Sequence, residues 1–99
     1  MALSVIYRDE ATDDIVEAMR WYRDQKEGLD EHFLAAVLAC EAFVQQFPKG
    51  APVVHKHHRQ TPVKGFPYVM LFGVWHDELV IYRIFHTSQH PKKKFRRKK

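Results

Sequence analysis

The residue types best suited to chemistry in this sequence lie in its second half. They are Arg59, Tyr68, Arg83, His86, His57 and His90. Cleavage of an RNA phosphodiester through its neighbouring 2′-hydroxyl needs a group that takes the hydroxyl proton, cations that stabilise the extra charge on phosphate, and an acid for the leaving oxygen. Arginine, histidine and tyrosine can fill those roles, so the candidate catalytic residues are Arg59, Arg83 and His86. Any basic sheet protein with seven histidines offers the same inventory, which alone does not establish an enzyme.

Arg59 and Arg83 also have a structural interpretation. Each falls within a predicted strand, from which an arginine can extend to the sheet edge or pair with a helix carboxylate such as Glu17 or Glu41. A structural Arg83 would be tied to a helix acid, and its removal would cost about 3 to 5 kcal/mol. A functional Arg83 near the strand end would cost on the order of 0.5 kcal/mol. We expect both arginines to serve function more than stability.

The run HKHH raises the possibility of a metal site. His55 and His57 are two residues apart, so they would share one face of a strand, and imidazole is a common zinc ligand. No pattern supplies a fourth ligand, and the single cysteine, Cys40, lies on an apolar helical stripe. We therefore predict no metal site and no cofactor, and we interpret Cys40 as a buried structural thiol.

Charge is distributed unevenly along the chain. Residues 1–50 carry 10 acidic and 5 basic side chains, a net charge of −5, whereas residues 51–99 carry 2 acidic and 11 basic side chains, a net charge of +9. Six of the seven histidines also lie in the second half. Such a surface should meet an anionic partner, either nucleic acid or an acidic protein segment. The alternative for residues 91–99 is a solvated, flexible basic tail.

The length of 99 residues predicts one domain over residues 1–99. No apolar stretch approaches the ~20 residues that a membrane helix needs, and the start MALSVIYRDE resembles no signal peptide. These features predict a cytoplasmic protein that does not bind membranes.

The first half of the chain predicts a strand followed by two helices. Residues 2–8 are rich in β-branched side chains, and Asp9 and Glu10 then suit a helix start. Gly28 would end the first helix and Asp30 would cap the second, which stops before Pro48. The apolar stripes that would face the core are Ala11, Ile15, Ala18, Met19 and Tyr22 in the first helix, and Leu29, Phe33, Val37, Cys40, Val44 and Phe47 in the second.

The second half predicts three strands in a meander, over residues 53–63, 66–75 and 78–86, with Asp77 favouring the last turn. The fold class is therefore α+β, in the order β-α-α-β-β-β, with a helix hairpin on one face of a small, mostly antiparallel sheet. The last two strands are apolar at odd and even positions alike, so both of their faces should be covered. The helices can cover one face, and the other is left to the tail, a second copy or a partner.

This order of elements resembles the RelE/ParE toxins, and local sequence resembles them more specifically. The segments that carry the resemblance are residues 11–33 with Trp21-Tyr22 and Gly28-Leu29, FVQQFP, Arg59 ahead of FPYVMLFGVW, and VIYRIFHTSQHPKKK. The resemblance covers nearly the whole chain. It implies a growth-inhibiting toxin held inactive by a small antitoxin, whose acidic or amphipathic segment wraps the sheet and helices. We expect the isolated chain to be poorly behaved or dimeric, and to form a well-behaved heteromer with that antitoxin.

The resemblance leaves two targets open, because such toxins are either ribosome-dependent mRNA endonucleases or non-nucleolytic inhibitors of DNA gyrase. Nucleolytic members generally carry a denser lysine and arginine cluster, or a histidine followed by tyrosine near the end of the chain. Here His86 precedes Thr87, and Gln89 stands where an arginine is usual, so DNA gyrase is favoured over ribosome-bound mRNA. A plain nucleic-acid-binding module is the third interpretation. The residues expected to contact the target or nucleic acid are Arg59, Lys64, Tyr68, Arg83, His90, Lys92, Lys93 and Lys94.

Overall fold

The computed structural model describes residues 3–88, which form two helices and five strands. The elements in chain order are β1 Ser4–Tyr7, α1 Asp9–Gln25, α2 Leu29–Gln46, β2 Val53–His55, β3 His58–Val63, β4 Tyr68–Trp75 and β5 Glu78–His86. The predicted α+β class and the order of strand, helix hairpin and meander are confirmed. The meander contains four strands, however, one more than predicted.

All five strands join one sheet in the order β1-β5-β4-β3-β2. The meander strands pair antiparallel, while β1 lies parallel to β5, from Ser4 opposite Glu78 to Tyr7 opposite Ile81. The helix hairpin is the connection that carries the chain from edge strand β1 toward the opposite edge at β2. The sheet is thus mostly antiparallel, as predicted.

A tight turn divides the predicted strand 53–63 into β2 and β3. Lys56 adopts a left-handed backbone with φ of 51°, and His55 then pairs with His58. Positive φ is normally predicted from glycine, asparagine or aspartate, and the sequence carries none of these residues at this turn. The next hairpin is similar, because His76 takes the left-handed conformation (φ 56°) there, and not Asp77 as predicted.

The helix boundaries differ slightly from the predicted ones. Helix α1 begins at Asp9 as expected, but its C-cap is Lys26, and Gly28 instead caps the start of α2 with φ of 84°. Helix α2 begins at Leu29 and ends at Gln46, two residues before Pro48. A left-handed residue at this corner suits glycine, because it lacks a Cβ atom. Neither helix of the described residues is long and apolar enough to cross a membrane.

The core lies between the helix hairpin and one face of the sheet. Phe33, Val37, Cys40 and Val44 of α2 are buried as predicted, whereas Phe47 is 51% exposed and does not belong to the stripe. The buried sheet residues in this cluster are Val63, Met70, Phe72, Leu79, Ile81 and Ile84. Val69, Leu71 and Phe85, which lie outside this cluster, are also buried, in agreement with the expectation that both faces are covered.

Cys40 is expected to be unreactive in the folded protein. Its thiol is buried, lies 3.6 Å from the carbonyl oxygen of Pro62 and 3.8 Å from the sulfur of Met70. Burial raises the pKa of the Cys40 thiol from 9.0 to about 11, so the thiolate fraction at pH 8 falls roughly 100-fold. A thiol-disulfide reagent such as DTNB should label the native protein at least ~100-fold more slowly than the protein unfolded in guanidinium. Equal rates in the two states would show that Cys40 is accessible.

Candidate functional site: a groove between helix α1 and the sheet

The groove is anchored by a buried ion pair between α1 and β5. Arg83 Nε donates to Asp14 Oδ2 at 2.7 Å, and Arg83 Nη2 donates to Asp14 Oδ1 at 3.0 Å. Asp14 Oδ2 also accepts a hydrogen bond from the backbone N–H of Ile84 at 3.1 Å. The two side chains are only 8% and 7% exposed. The pair has the two-pronged geometry in which arginine and carboxylate bind most strongly.

The position of Asp14 follows from where β1 ends. Pairing between β1 and β5 stops at Tyr7 and Ile81, and the chain then turns into α1. The Asp14 carboxylate of that helix accepts a hydrogen bond from the Ile84 N–H. Ile84 lies on β5 beyond Ile81, the last residue that pairs with β1. Asp14 thereby satisfies a backbone donor that would otherwise be buried without an acceptor.

Arg83 therefore meets the condition set for a structural arginine, so its removal is expected to destabilise the fold. The carboxylate that binds it is that of Asp14, which the sequence analysis did not name, and the Glu41 carboxylate accepts the Tyr7 hydroxyl at 2.7 Å. The sequence did carry a signal for this pairing. Asp14 falls on the buried stripe of α1 together with Ala11, Ala18 and Tyr22, and an acid on such a stripe needs a cation.

The groove itself is a cleft of about 350 Å³ beside this ion pair. Its walls come from α1, the start of β4 and the end of β5. The lining residues are Asp14, Glu17, Ala18, Trp21, Tyr22, Tyr68, His86 and Ser88. Two predicted site residues meet here, because the rings of Tyr68 and His86 contact edge to face with centroids 5.0 Å apart. Tyr22 and Trp21, which sequence reasoning assigned to the core or left without a role, form the other wall.

The His86 ring is held in one orientation by the chain that follows it. The Ser88 backbone N–H donates to His86 Nδ1 at 3.0 Å, and the Ser88 hydroxyl lies 2.7 Å from the same atom. Because Nδ1 accepts a hydrogen bond, the neutral ring carries its proton on Nε2. His86 can therefore donate a hydrogen bond through Nε2.

Two carboxylates, those of Asp14 and Glu17, line the groove near Tyr68. The pKa of Tyr68 is raised mainly by burial of its hydroxyl, and further by Tyr22 and the carboxylates of Asp14 and Glu17. A raised pKa keeps Tyr68 a neutral phenol at physiological pH, so it can donate a hydrogen bond but is a poor base. The guanidinium of Arg83 already binds the Asp14 carboxylate.

Arg59 and Lys64 lie away from this groove. Arg59 pairs with Phe72, four residues along β4 from Tyr68 and so about 13 Å away at the usual rise of a strand. Its guanidinium donates to the carbonyl oxygen of Ala51 at 2.6 Å, which ties β3 to the loop after α2. Lys64 lines a second cleft of about 370 Å³, whose other lining residues are Ala36, Ala39, Cys40, Phe43, Thr61 and Pro62. The proposed catalytic set Arg59, Arg83 and His86 is thus not assembled at one place.

Several predicted site residues cannot be compared with the fold. His90, Lys92, Lys93 and Lys94, together with Gln89 and the tail 91–99, lie outside the described residues. Within residues 3–88, no three His, Cys, Asp or Glu side chains are arranged to hold a metal ion. In the HKHH run, the His57 and His58 rings stack on each other with centroids 5.3 Å apart.

Comparison with known proteins identifies the family of this chain. Residues 5–91 match the family model described as the ParE toxin of the type II toxin–antitoxin system parDE. The chain belongs to the ParE toxin family. As a ParE toxin, it is the toxin component of a type II pair, and the partner of such a toxin is an antitoxin. No curated protein sequence matches the chain.

Solved structures match the ParE chain in fold. A chain from the chromosomal ParDE system of P. aeruginosa has a TM-score of 0.65 and 20% identity, over 88% of this chain and 98% of that chain. A chain from the E. coli DinJ-YafQ toxin–antitoxin complex has a TM-score of 0.60 and 10% identity, over 87% of this chain and 93% of that one. At these identities the likeness establishes the shared architecture and not the chemistry of the site.

Proposed function

We propose that this ParE toxin inhibits growth without cutting RNA, that its target is DNA gyrase, and that an antitoxin neutralises it by direct contact. The observation that supports the first part is the Arg83–Asp14 ion pair. The guanidinium of Arg83, on the strand that ends at His86, is buried and bound to a carboxylate, so it is not presented to a phosphate. Cleavage through a 2′-hydroxyl would need such a cation at the reacting phosphate.

The carboxylates of the groove support the same conclusion. Asp14 and Glu17 line it, and both add to the rise in the pKa of Tyr68 that burial mainly causes. A carboxylate next to a reacting phosphate disfavours the extra charge of its transition state. A groove with aromatic walls and carboxylates is better suited to a protein segment that carries cationic or hydrogen-bond-donating side chains.

Sequence departures support a non-nucleolytic toxin as well. His86 is followed by Thr87, and Gln89 stands where an arginine is usual in the nucleolytic toxins that the chain resembles. The His86 ring is oriented by Ser88 through Nδ1, and its contact with Tyr68 is ring to ring. These contacts account for both residues without a catalytic role.

This proposal predicts that growth inhibition survives removal of the two chemically capable groups in the groove. Tyr68→Phe and His86→Gln should each keep full toxicity when induced from the same promoter, since Phe keeps the aromatic wall of the groove and Gln keeps a polar side chain at position 86, while both changes remove the group that could transfer a proton. The 5′ ends of mRNA mapped within minutes of induction should match those of uninduced cells, while expression of a DNA-damage reporter should rise. Codon-phased cuts that disappear in His86→Gln would instead establish a ribosome-dependent endonuclease.

The antitoxin contact is supported by the exposed apolar surface of α2. Phe43 and Phe47 are 52% and 51% exposed, their rings lie 5.4 Å apart, and Phe43 also lines the second cleft beside Lys64. Apolar side chains beside one lysine suit an amphipathic segment that carries acidic residues. We expect Phe43→Glu to weaken antitoxin binding by at least ~100-fold, because truncation of a buried aromatic anchor costs 2 kcal/mol or more and the new charge must be desolvated. Binding can be followed by titration calorimetry.

The matched control is Val16→Glu, which places the same charge on an exposed apolar position (42%) of the other helix. Antitoxin affinity should be unchanged or change only a few-fold in this variant. Equal loss in both variants would mean that added negative charge, and not the α2 surface, weakens the complex.

A further inference from the structure

Four rings cluster on the sheet face that points away from the helices, at the end of the sheet where the two hairpins turn. They are His57, His58, Trp75 and Tyr82, and together they are called the aromatic platform below. Tyr82 follows the core residue Ile81 on β5, and Trp75 lies two residues beyond Gly73 on β4, so both project from the outer face. None of the four belongs to the candidate groove or to the core cluster.

The platform is a connected set of ring contacts. His57 meets Trp75 edge to face at 4.5 Å between centroids and stacks on His58 at 5.3 Å. His58 contacts Tyr82 at 4.6 Å, and the Trp75 indole N–H donates to the Tyr82 hydroxyl at 2.7 Å. Each ring is therefore fixed by at least two contacts to its neighbours or to the backbone.

Gly73 makes room for this arrangement. A Cβ atom at Gly73 would come within 3.0 Å of Tyr82 Cε2 and 3.2 Å of its hydroxyl oxygen, so the Tyr82 ring lies directly over the glycine backbone. Glycine within a strand normally weakens it, and here it allows an aromatic ring to lie flat beside the sheet. The platform is thus built into the fold, and it needs no partner to form.

The platform is exposed and has cations at its border. Trp75 is 43% exposed and His57 is exposed, so ring surface is presented to solvent. The Arg8 guanidinium lies 5.9 Å from the Tyr82 ring centroid, and Lys56 occupies the turn between β2 and β3, next to His57. Glu78 lies opposite Trp75 in the register, and Asp77 lies in the turn between β4 and β5. The two acids are thus near Trp75, whereas Arg8 lies at Tyr82.

We propose that the aromatic platform binds single-stranded nucleic acid, with an unpaired base stacked on Trp75 and the flanking phosphates near Arg8 and Lys56. Every base has a π-face, so a ring platform recognises unpaired bases with little sequence preference. Cations beside the rings attract the phosphate backbone and make binding weaker as salt rises. In a duplex the base faces are stacked on one another, so they are not available to stack on the platform. This inference does not depend on the target of the toxin.

The experiment uses two single-tryptophan versions of the full chain, so that base stacking on Trp75 is told apart from attraction of phosphate to lysine and arginine, in which residues 92–99 are rich. Trp21→Phe leaves Trp75 as the fluorophore, and Trp75→Phe leaves Trp21, which is 58% exposed on α1. Each is titrated with a 12-nucleotide oligo(dT), with an abasic oligomer of the same length and charge, and with a duplex. Fluorescence anisotropy of a labelled oligomer reports binding in parallel.

Oligo(dT) is expected to quench Trp75 and to leave Trp21 unchanged, while the abasic oligomer quenches neither. Trp75→Ala should weaken oligo(dT) binding by about 5- to 100-fold, the usual effect of losing one stacking ring, and should not alter binding of the abasic oligomer. If anisotropy saturates with no quenching of Trp75, the nucleic acid binds the basic tail alone and the proposal is wrong. The quenching test keeps Trp75 in place, so it decides the matter even if Trp75→Ala fails to fold.

Discussion

Replacement of Asp14 by alanine is expected to destabilise the protein by about 3 to 5 kcal/mol, because it leaves the Arg83 guanidinium buried without its carboxylate. The same change removes the acceptor of the Ile84 N–H, which lies 3.1 Å from Asp14 Oδ2. For a domain of this size a loss of 3 kcal/mol lowers Tm by more than about 10 °C. Arg83→Ala should give a loss of the same order, since it strands the Asp14 carboxylate instead. Thermal and urea unfolding followed by circular dichroism measure both.

Asp13→Ala is the matched control, because Asp13 is an exposed acid one residue away on the same helix. It should change stability by no more than about 0.5 kcal/mol. The double variant Asp14→Ala/Arg83→Ala should lose clearly less than the two single losses added together, since neither charge is then stranded. Additive losses, or an Asp14→Ala variant as stable as Asp13→Ala, would show that the ion pair does not hold α1 to β5.

Phe33→Ala should have a similarly large effect, about 3 to 5 kcal/mol, because Phe33 is fully buried at the centre of an aromatic cluster. Its ring lies 5.3 Å from Tyr22, 5.2 Å from Phe66 and 5.0 Å from Tyr68, measured between centroids. The cavity left by alanine would remove the contacts that link α2 to the start of β4. Since Tyr22 and Tyr68 also line the groove, the change should loosen that wall as well as lower Tm.

Phe43→Ala provides the comparison on the same helix, because Phe43 is 52% exposed. Its loss should cost well under half as much as the loss of Phe33, since little apolar area leaves a buried environment. Equal destabilisation by the two variants would mean that α2 packs through a different face.

The helix hairpin was predictable because apolar spacing of three and four residues places one stripe against a core. Ala11, Ala18 and Tyr22 of α1, and Phe33 and Val37 of α2, are buried as that rule requires. Phe47 breaks the rule because it lies past the last helical residue, Gln46, where helical spacing no longer applies. Periodicity locates the face of a helix and is weakest at the end of the helix.

The division of residues 53–63 into two strands was not predictable from composition. A left-handed lysine at position 56 costs energy that glycine or asparagine would avoid, and only tertiary contacts can offset it. The ring contacts of His57 and His58 with Trp75 and Tyr82 are such contacts. They join residues 18 and 24 positions apart, so local sequence patterns do not reveal them.

The candidate site was only partly predictable, for the same reason. Tyr68 and His86 were chosen by residue type, and the fold brings them together because they pair across β4 and β5. Arg83 was assigned to function because its partner Asp14 lies 69 residues earlier, too far for sequence spacing to suggest the pair. The stripe of α1 shows that Asp14 is buried, but pairing it with Arg83 requires knowing that β1 ends at Tyr7 and exposes the edge of β5.

The measurement that bears most directly on the central claim is a supercoiling assay with purified DNA gyrase, relaxed plasmid and ATP. The full chain should inhibit supercoiling at micromolar concentration or below, Tyr68→Phe and His86→Gln should inhibit equally well, and the antitoxin should restore activity at a stoichiometric ratio. Translating ribosomes given the same toxin should keep their messages intact. Unaffected gyrase together with codon-phased cuts in those messages would contradict the account, and would assign the groove at Tyr68 and His86 to RNA cleavage.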